Sequence, residues 1–286
     1  MKFKLISFTL ILILIVGCGN NDENELPDIP DYHSGTEGLS MKFLTNLPPN
    51  EIWENSDFII GLELQNKGPS PIDDGIIVVT GFDPDYIMLN QDESAFELEE
   101  RGPSYPEGGY KIINIPVRSI AMPEGSDSYS AGFTIRAYYD YQTEATATVC
   151  IDPNVYSLVS LNKACEVKEI TMSGGQGAPV AITKVEPRIS PSDSSDIESE
   201  FKITIQNSGS GEVLGYININ EVLLGTERIE CNFKKVELKD KKASFICKTN
   251  IDASRGSYSS PLTARFSYKY TQKLDKNINI IALTQE

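Results

Sequence analysis

Apolar and polar residues alternate along most of the chain beyond its first forty residues. Ile60, Leu62 and Leu64 are each followed by a glycine or a polar residue, and the same alternation occurs around Ile203 and Ile205. An alternation with period two is typical of half-buried β-strands. Short sequences rich in Gly, Pro, Asp and Ser interrupt it at intervals of roughly 8–15 residues, a spacing that favours a β-sandwich. The pattern therefore predicts an all-β protein.

This β-rich body contains an internal repeat. The strand that ends in the turn Asn66-x-Gly resembles the strand that ends in Asn207-x-Gly, 141 residues later. The segment 134–141, which ends in Tyr-x-Tyr, resembles 263–270, 129 residues later. A repeat of this length indicates tandem domains and not a solenoid. The predicted boundaries are 40–150 for the first domain, 151–178 for a disulfide-closed loop and glycine-rich linker, and 179–286 for the second domain.

In each half an alternating strand is followed by an Asn-x-Gly turn and further short strands. This order resembles the immunoglobulin-like modules of prokaryotic surface proteins, CARDB-type domains in particular. In such a turn Asn and Gly tolerate the left-handed backbone that the end of a strand needs. The segment that begins at Cys150 and the glycine-rich segment 173–179 are similar to archaeal surface lipoproteins. The resemblance implies two tandem immunoglobulin-like β-sandwiches and brings no known activity with it.

Residues 1–17 are predicted to be a lipoprotein signal peptide. Lys2 and Lys4 precede the apolar run Leu5–Val16, which is shorter than the roughly 20 residues of a transmembrane helix and fits a secretory signal. The run ends in Ile-Val-Gly-Cys18, which resembles the lipobox of prokaryotic lipoproteins. The resemblance implies cleavage before Cys18 and lipid, such as palmitate, on its thiol. An ordinary signal peptide and an uncleaved anchor are the alternatives.

Residues 18–39 are predicted to be a disordered acidic tether. This segment contains six acidic residues and no Lys or Arg, so it cannot bury enough apolar surface to offset the entropy of ordering. Its expected role is to hold the folded part away from the bilayer. The only histidine of the chain, His33, lies here, which argues against histidine-based metal sites and triads.

Four cysteines remain after Cys18, and in an exported chain they permit three disulfide pairings. We predict Cys231–Cys247, because the two are symmetric about position 239 and a hairpin there would place them opposite each other. We also predict that Cys150 pairs with Cys165 across a short loop. The absence of a Cys-x-x-Cys pair argues against a zinc site.

The chain of 286 residues has 25 Lys and Arg against 41 Asp and Glu, a net charge of −16. Such an acidic chain is a poor candidate for binding nucleic acid, which needs basic residues for its phosphates. The charge is uneven, because residues 40–150 contain 18 acidic and 6 basic residues while 151–286 contain 17 of each. We call these the first and second halves. The acidic field is expected on the half that lies nearer the membrane.

Two sets of residues are candidates for binding. Closely spaced carboxylates in turns of the first half are weak candidates for calcium, which prefers oxygen ligands; they are Asp73, Asp74, Asp83 and Asp85. The alternative, which we favour, is that turns are simply rich in Asp, so that no metal or cofactor is expected. The second set comprises the tyrosines of the two Tyr-x-Tyr segments, which are Tyr139, Tyr141, Tyr268 and Tyr270.

The tyrosines of each segment share one face of a strand and allow two interpretations. If exposed, they would form a stacking platform for a sugar or a partner strand. If buried, they would resemble the tyrosine of immunoglobulin-like folds whose hydroxyl fixes a corner of the sandwich. Their recurrence at the same place in both halves favours the structural interpretation.

The sequence thus predicts a lipid-anchored extracytoplasmic protein that acts as a non-catalytic binding or scaffolding module. Its expected partners are the membrane, through the lipid, and a surface protein or glycan that the sequence does not identify. A carbohydrate-binding module that uses the tyrosine faces is one alternative. A surface hydrolase that uses carboxylates is the other. No Gly-x-Ser-x-Gly motif is present, so a serine hydrolase is not expected.

Overall fold

The structure is a computed structural model that describes residues 30–155, 163–190, 196–252, 254 and 256–283. Within these ranges all regular elements are strands, without any helix, which confirms the all-β prediction. The strands are β1 (Leu39–Phe43), β2 (Glu51–Trp53), β3 (Asp57–Asn66), β4 (Ile72–Thr80), β5 (Ile87–Leu89), β6 (Glu93–Leu98), β7 (Tyr110–Ser119), β8 (Ser128–Ile151), β9 (Ile170–Thr171), β10 (Val180–Ser190), β11 (Asp196–Asn207), β12 (Glu212–Leu224), β13 (Glu227–Arg228), β14 (Glu230–Cys231), β15 (Lys235–Val236), β16 (Lys242–Asp252) and β17 (Tyr258–Ile281).

The strands form three sheets. The first outer sheet has four strands in the order β1-β3-β7-β5, and the second outer sheet has five in the order β14-β16-β11-β10-β9. The third, which we call the shared sheet, has the order β13-β12-β17-β8-β4-β6, with β15 beside β12 and β2 beside β17. All these pairings are antiparallel except that of β2 with β17.

The long strand β8 shows why the sheets stack as they do. Its odd-numbered residues from Ala131 to Val149 are buried, while the even-numbered residues between them are exposed or half-buried. One face of β8 is therefore covered along its whole length. Both outer sheets pack on this same face of the shared sheet, and the large buried side chains between the layers include Ile60, Phe96, Phe201 and Phe266.

The two sandwiches share strands. Strands β8 and β17 pair over 24 residues, from Ser128 opposite Ile281 to Ile151 opposite Tyr258. The first part of β8 pairs with β4 of its own half, and the first part of β17 pairs with β12 of its own half. The remaining part of each strand lies in the sandwich of the other half. Two sandwiches are present, as the repeat predicts, but the predicted boundary does not separate them, because residues Tyr32–Glu286 form one compact unit.

The predicted tether is wrong for its last residues, and positions 1–29 lie outside the described part. The Gly35 amide donates a hydrogen bond to the Gly174 carbonyl, and the Gly177 amide donates to the Gly35 carbonyl, both at 2.8 Å. Leu39 already begins β1. The contact requires glycine, because a Cβ on Gly175 would collide with the Gly35 carbonyl oxygen. The segment that we predicted as a linker is thus packed against the N-terminal segment.

Both predicted disulfides are present, Cys150–Cys165 and Cys231–Cys247. Cys231 and Cys247 are direct partners in the pairing of β14 with β16, as the hairpin prediction requires. The turn between them lies at Asp240, one residue beyond the predicted centre, and that residue and the next have positive φ angles of 50° and 66°. Between the cysteines the chain crosses to the shared sheet, where β15 pairs with β12.

Candidate functional site

The four candidate tyrosines meet in the middle of the shared sheet. Tyr139 lies opposite Tyr270 and Tyr141 lies opposite Tyr268 in the pairing of β8 with β17. Each side chain is at most 3% exposed. Neighbouring ring centroids lie 5.8–6.4 Å apart, a normal distance for packed aromatic rings. We call this cluster the tyrosine junction, and it lies where the two sandwiches meet.

Each Asn-x-Gly turn is fixed by a tyrosine of this junction. The Tyr141 hydroxyl donates to the Asn66 side-chain oxygen at 3.1 Å, and the Tyr270 hydroxyl donates to the Asn207 side-chain oxygen at 3.0 Å. The side-chain nitrogens of the two asparagines donate to backbone carbonyls four residues later, at 2.7 and 2.8 Å. The two repeated motifs are thus the two parts of one corner, which confirms the structural interpretation.

Both motifs are visible in the sequence, but their contact with each other is not. The sequence motifs also do not include the polar partners of the other two tyrosines. The Tyr139 hydroxyl lies 3.3 Å from the Gln272 side-chain oxygen, and the Tyr268 hydroxyl lies 3.0 Å from the Thr143 hydroxyl. Gln272 follows Thr143 by 129 residues, the same offset as the tyrosines. That shared offset is the signal that would have found them.

Burial excludes a sugar-binding platform made of these four tyrosines. Desolvation raises the pKa of the hydroxyls of Tyr139, Tyr141 and Tyr268 well above the ordinary value, so they stay protonated and act as hydrogen-bond donors inside the protein. A ligand cannot stack on a ring that lies between two sheets. These four tyrosines therefore do not form the exposed stacking face that the carbohydrate-binding alternative needs.

The calcium candidates do not form a site. Asp73 and Asp74 are exposed and lie within β4, at an irregularity in its pairing with β6, and not in the turn that we predicted. Asp83 is in a turn, where its side chain accepts a hydrogen bond from the Asp85 amide at 3.0 Å. Across the described residues, no group of three or more His, Cys, Asp or Glu is placed to hold a metal ion.

Among the residues that the structure describes, three carboxylates have clearly shifted pKa values, and all three are shifted downward. Hydrogen bonds from the amides of Met122 and Leu283 lower the pKa of Glu54. The Lys202 ammonium lowers the pKa of Glu186, and the Thr134 hydroxyl lowers that of Asp275. The general acid of a glycosidase needs a raised pKa, so none of these three carboxylates suits the hydrolase alternative.

The outer faces of the two outer sheets differ in chemistry. On the second outer sheet, lysines and glutamates form a lattice of ion pairs. Glu200 lies 3.1 Å from the Lys248 ammonium, its partner on the next strand. The equivalent pair on the first outer sheet, 141 residues earlier on β3, is Ile59 with Pro116. The side chain of Ile59 is 42% exposed, so an apolar residue replaces a solvated ion pair.

The two disulfides indicate an oxidising, extracytoplasmic environment. Among the residues that the structure describes, no helix is long and apolar enough to cross a membrane. Cys18, the predicted lipidation site, lies outside the described residues.

Comparison with known proteins adds no relative. No model of a known protein family matches the chain, and no curated protein matches it. The resemblance to CARDB-type domains therefore stays a prediction that depends on the repeated motifs. The sandwich-like all-β architecture is what the structure itself establishes.

Proposed function

We propose that this chain is a lipid-anchored extracytoplasmic protein that binds a partner protein at the cell surface and catalyses no reaction. The apolar run that ends at Cys18 supports the anchor, and the two disulfides support export. The observation that carries the binding role is the apolar outer face of the first outer sheet.

The apolar outer face is continuous around Gly61. Ile59 and Pro116 lie opposite each other on β3 and β7. A Cβ on Gly61 would lie 2.9 Å from Leu47 and 3.0 Å from Leu44, so these two leucines cover the strand beside Ile59. Contiguous exposed apolar surface of this kind marks interaction sites on soluble proteins.

The internal repeat shows that the fold does not require this apolar face. The same position of the second outer sheet carries Glu200, which contacts Lys248 and, at 3.9 Å, Arg188. A sandwich of this type is therefore compatible with a fully charged outer face. Only the first half has apolar residues where the second half has ion pairs. This difference is expected if the outer face of the first half binds a partner.

Charge indicates the kind of partner. The first half has a net charge of −12, and the two basic residues on its outer face, Lys42 and Arg118, are already paired with Glu63 and Asp57. A second copy of the same face would bring another acidic surface and would be repelled. A partner protein with basic residues around an apolar centre has the complementary surface.

The equivalent positions provide a matched experiment in intact cells. A photocrosslinking amino acid at position 59 is expected to capture one surface protein with a basic contact region, identified by mass spectrometry. The same amino acid at position 200 is the control and is expected to capture none. Equal capture from positions 59 and 200 would contradict the proposed partner. Capture of a second copy of this protein from position 59 would also contradict it.

The anchor is tested separately. Cells that express the wild type or Cys18→Ser receive a labelled fatty acid and are then fractionated. We expect label and membrane association in the wild type, and neither lipid label nor stable anchoring in the variant. Equal label in both proteins would contradict lipidation at Cys18.

A further inference from the structure

One short segment of the second half has an unusual concentration of lysines. We call the segment Phe233–Lys242 the lysine turn. Its lysines, all exposed, are Lys234, Lys235, Lys239, Lys241 and Lys242. The segment contains two acidic residues, Glu237 and Asp240. A net charge of +3 within ten residues is exceptional in a chain whose overall charge is −16.

Unlike the lysines of the second outer sheet, the lysines of this turn have no ion pair. Lys184, Lys202 and Lys248 each lie within 3.3 Å of at least one glutamate on the second outer sheet. Among the ion pairs found in the described ranges, none includes a lysine of the lysine turn. Their charges face solvent and are available to an anionic partner.

The backbone of the segment is well defined. The amides and carbonyls of Lys239 and Lys242 exchange two hydrogen bonds, at 2.8 and 2.9 Å, around the tight turn at Asp240. The Lys241 carbonyl accepts a hydrogen bond from the Asn207 amide at 2.8 Å. Since Asn207 also binds Tyr270, the lysine turn is attached directly to the tyrosine junction.

An exposed aromatic residue accompanies the lysines. Phe233, immediately before the first of them, is 54% exposed. A large apolar side chain among unpaired lysines is typical of segments that bind at the surface of an anionic bilayer. An anionic bilayer accommodates both features, because the headgroups attract the lysines while the apolar ring of Phe233 enters the boundary of the acyl chains.

The lysine turn also lies close to the place where the chain enters the folded unit. The Ser208 amide, next to Asn207, donates to the Pro179 carbonyl at 2.8 Å. Pro179 follows the glycine segment that binds Gly35. The described N-terminal segment around Gly35 is therefore packed against the same part of the fold that holds the lysine turn.

We propose that the lysine turn binds the anionic headgroups of a phospholipid bilayer, with Phe233 entering the headgroup region. The proposal extends the proposed function, from which it takes the nearness of a membrane. Its chemistry depends only on the unpaired lysines and on Phe233. Each lysine near an anionic surface contributes an electrostatic attraction that salt weakens.

Tryptophan fluorescence in the full-length chain tests the proposal. The only tryptophan is removed by Trp53→Phe, and Phe233→Trp places a reporter in the lysine turn. With vesicles that contain brominated phosphatidylcholine and phosphatidylglycerol, we expect a blue shift and quenching of this reporter. Vesicles of phosphatidylcholine alone are expected to give neither change. The control reporter, Tyr138→Trp in the same background, lies on the outer face of the shared sheet and is expected to remain unquenched.

Charge variants distinguish a specific effect of the lysine turn from an effect of the net charge of the protein. In the Phe233→Trp protein, Lys234→Gln with Lys235→Gln is expected to raise the anionic lipid concentration for half-maximal quenching about thirtyfold. The matched control, Lys269→Gln with Lys273→Gln, removes two exposed lysines from the shared sheet and is expected to leave it unchanged. Unchanged fluorescence with anionic vesicles, or equal quenching by neutral and anionic vesicles, would overturn the proposal.

The outcomes distinguish this proposal from the anchor. Quenching of the reporter in a chain that carries no fatty acid label would support the lysine turn and contradict the lipid anchor. A labelled chain whose reporter is never quenched would support the anchor and contradict the lysine turn. Binding of an acidic protein in place of lipid would leave the reporter unquenched by vesicles and would count against the proposal.

Discussion

At the residue scale, the Asn-Tyr contact shows why the two halves keep the same motifs. Each asparagine closes its own turn and also accepts a hydrogen bond from a tyrosine hydroxyl of the junction. A buried polar group without its partner would cost about 1–3 kcal/mol. The tyrosine and the asparagine are therefore constrained together, although they lie 75 and 63 residues apart in the two halves.

We expect Tyr141→Phe to lower the free energy of unfolding by about 1 kcal/mol, because the Asn66 oxygen loses one of its donors in a buried site. The matched control is Tyr138→Phe, the preceding residue, whose side chain is 37% exposed; we expect a change within about 0.5 kcal/mol. Urea denaturation followed by fluorescence measures both values. Equal effects of the two substitutions would show that the corner contributes nothing specific.

Glu54 gives a prediction on pH. Its carboxylate accepts hydrogen bonds from the Met122 and Leu283 amides, at 2.5 and 2.7 Å, and these lower its pKa in the folded state. A lowered pKa stabilises the fold above the pKa of the unfolded chain, and this contribution is lost as the pH falls through the folded value. The free energy of unfolding of Glu54→Gln should therefore fall less between about pH 6 and pH 3 than that of the wild type.

Urea unfolding across that pH range measures the effect, and Glu124→Gln is the control. If Glu54 acts as described, the control keeps the full acid sensitivity of the wild type while Glu54→Gln loses part of it. Identical pH profiles for all three proteins would contradict the role of Glu54 as the residue that holds the end of β17 against the first half.

At the scale of elements, alternation predicts strands well and their partners poorly. The strict alternation of β8 is visible in the sequence, and it correctly indicates one buried face. The partner of β8, however, is a strand more than a hundred residues away, and alternation contains no information on such pairing. The repeat was therefore interpreted as two separate sandwiches, and the exchange of strand segments between them was missed.

The shared strands predict that the halves depend on each other. Residues 30–155 alone would lack the end of β17, and residues 163–283 alone would lack the end of β8. We expect each half alone to unfold at a lower temperature than the intact chain, because an unpaired long strand exposes its backbone groups. Mixing the halves should restore a stable one-to-one complex. Circular dichroism and size-exclusion chromatography measure these outcomes, and halves as stable as the whole chain would contradict the prediction.

At the scale of the whole molecule, average charge concealed the lysine turn. The second half has 17 acidic and 17 basic residues, so its net charge is zero. Many of the opposite charges lie next to each other on the second outer sheet, where lysines and glutamates of neighbouring strands form ion pairs. The strand register is needed to see that the lysines of the lysine turn have no such partner.

The charge of the first half predicts a dependence on salt. Its net charge of −12 should destabilise the fold by self-repulsion, which 0.15 M salt screens beyond about 8 Å. The melting temperature should therefore rise between about 10 and 150 mM NaCl, by about 2–4 °C if 1 kcal/mol is recovered. Because the aspartates form no cluster, CaCl₂ and MgCl₂ at equal ionic strength should act alike in calorimetry. A rise specific to calcium would show a metal site that the structure does not contain.

The docking of the N-terminal segment has a mechanical consequence. Tyr32 lies beside Arg101, with 5.8 Å between the guanidinium carbon and the ring centre, and Gly38 packs on Tyr141 at the middle of the long strand pair. A force that reaches the described part of the chain through Tyr32 would therefore act on the middle of the β8–β17 pair and not on a peripheral strand.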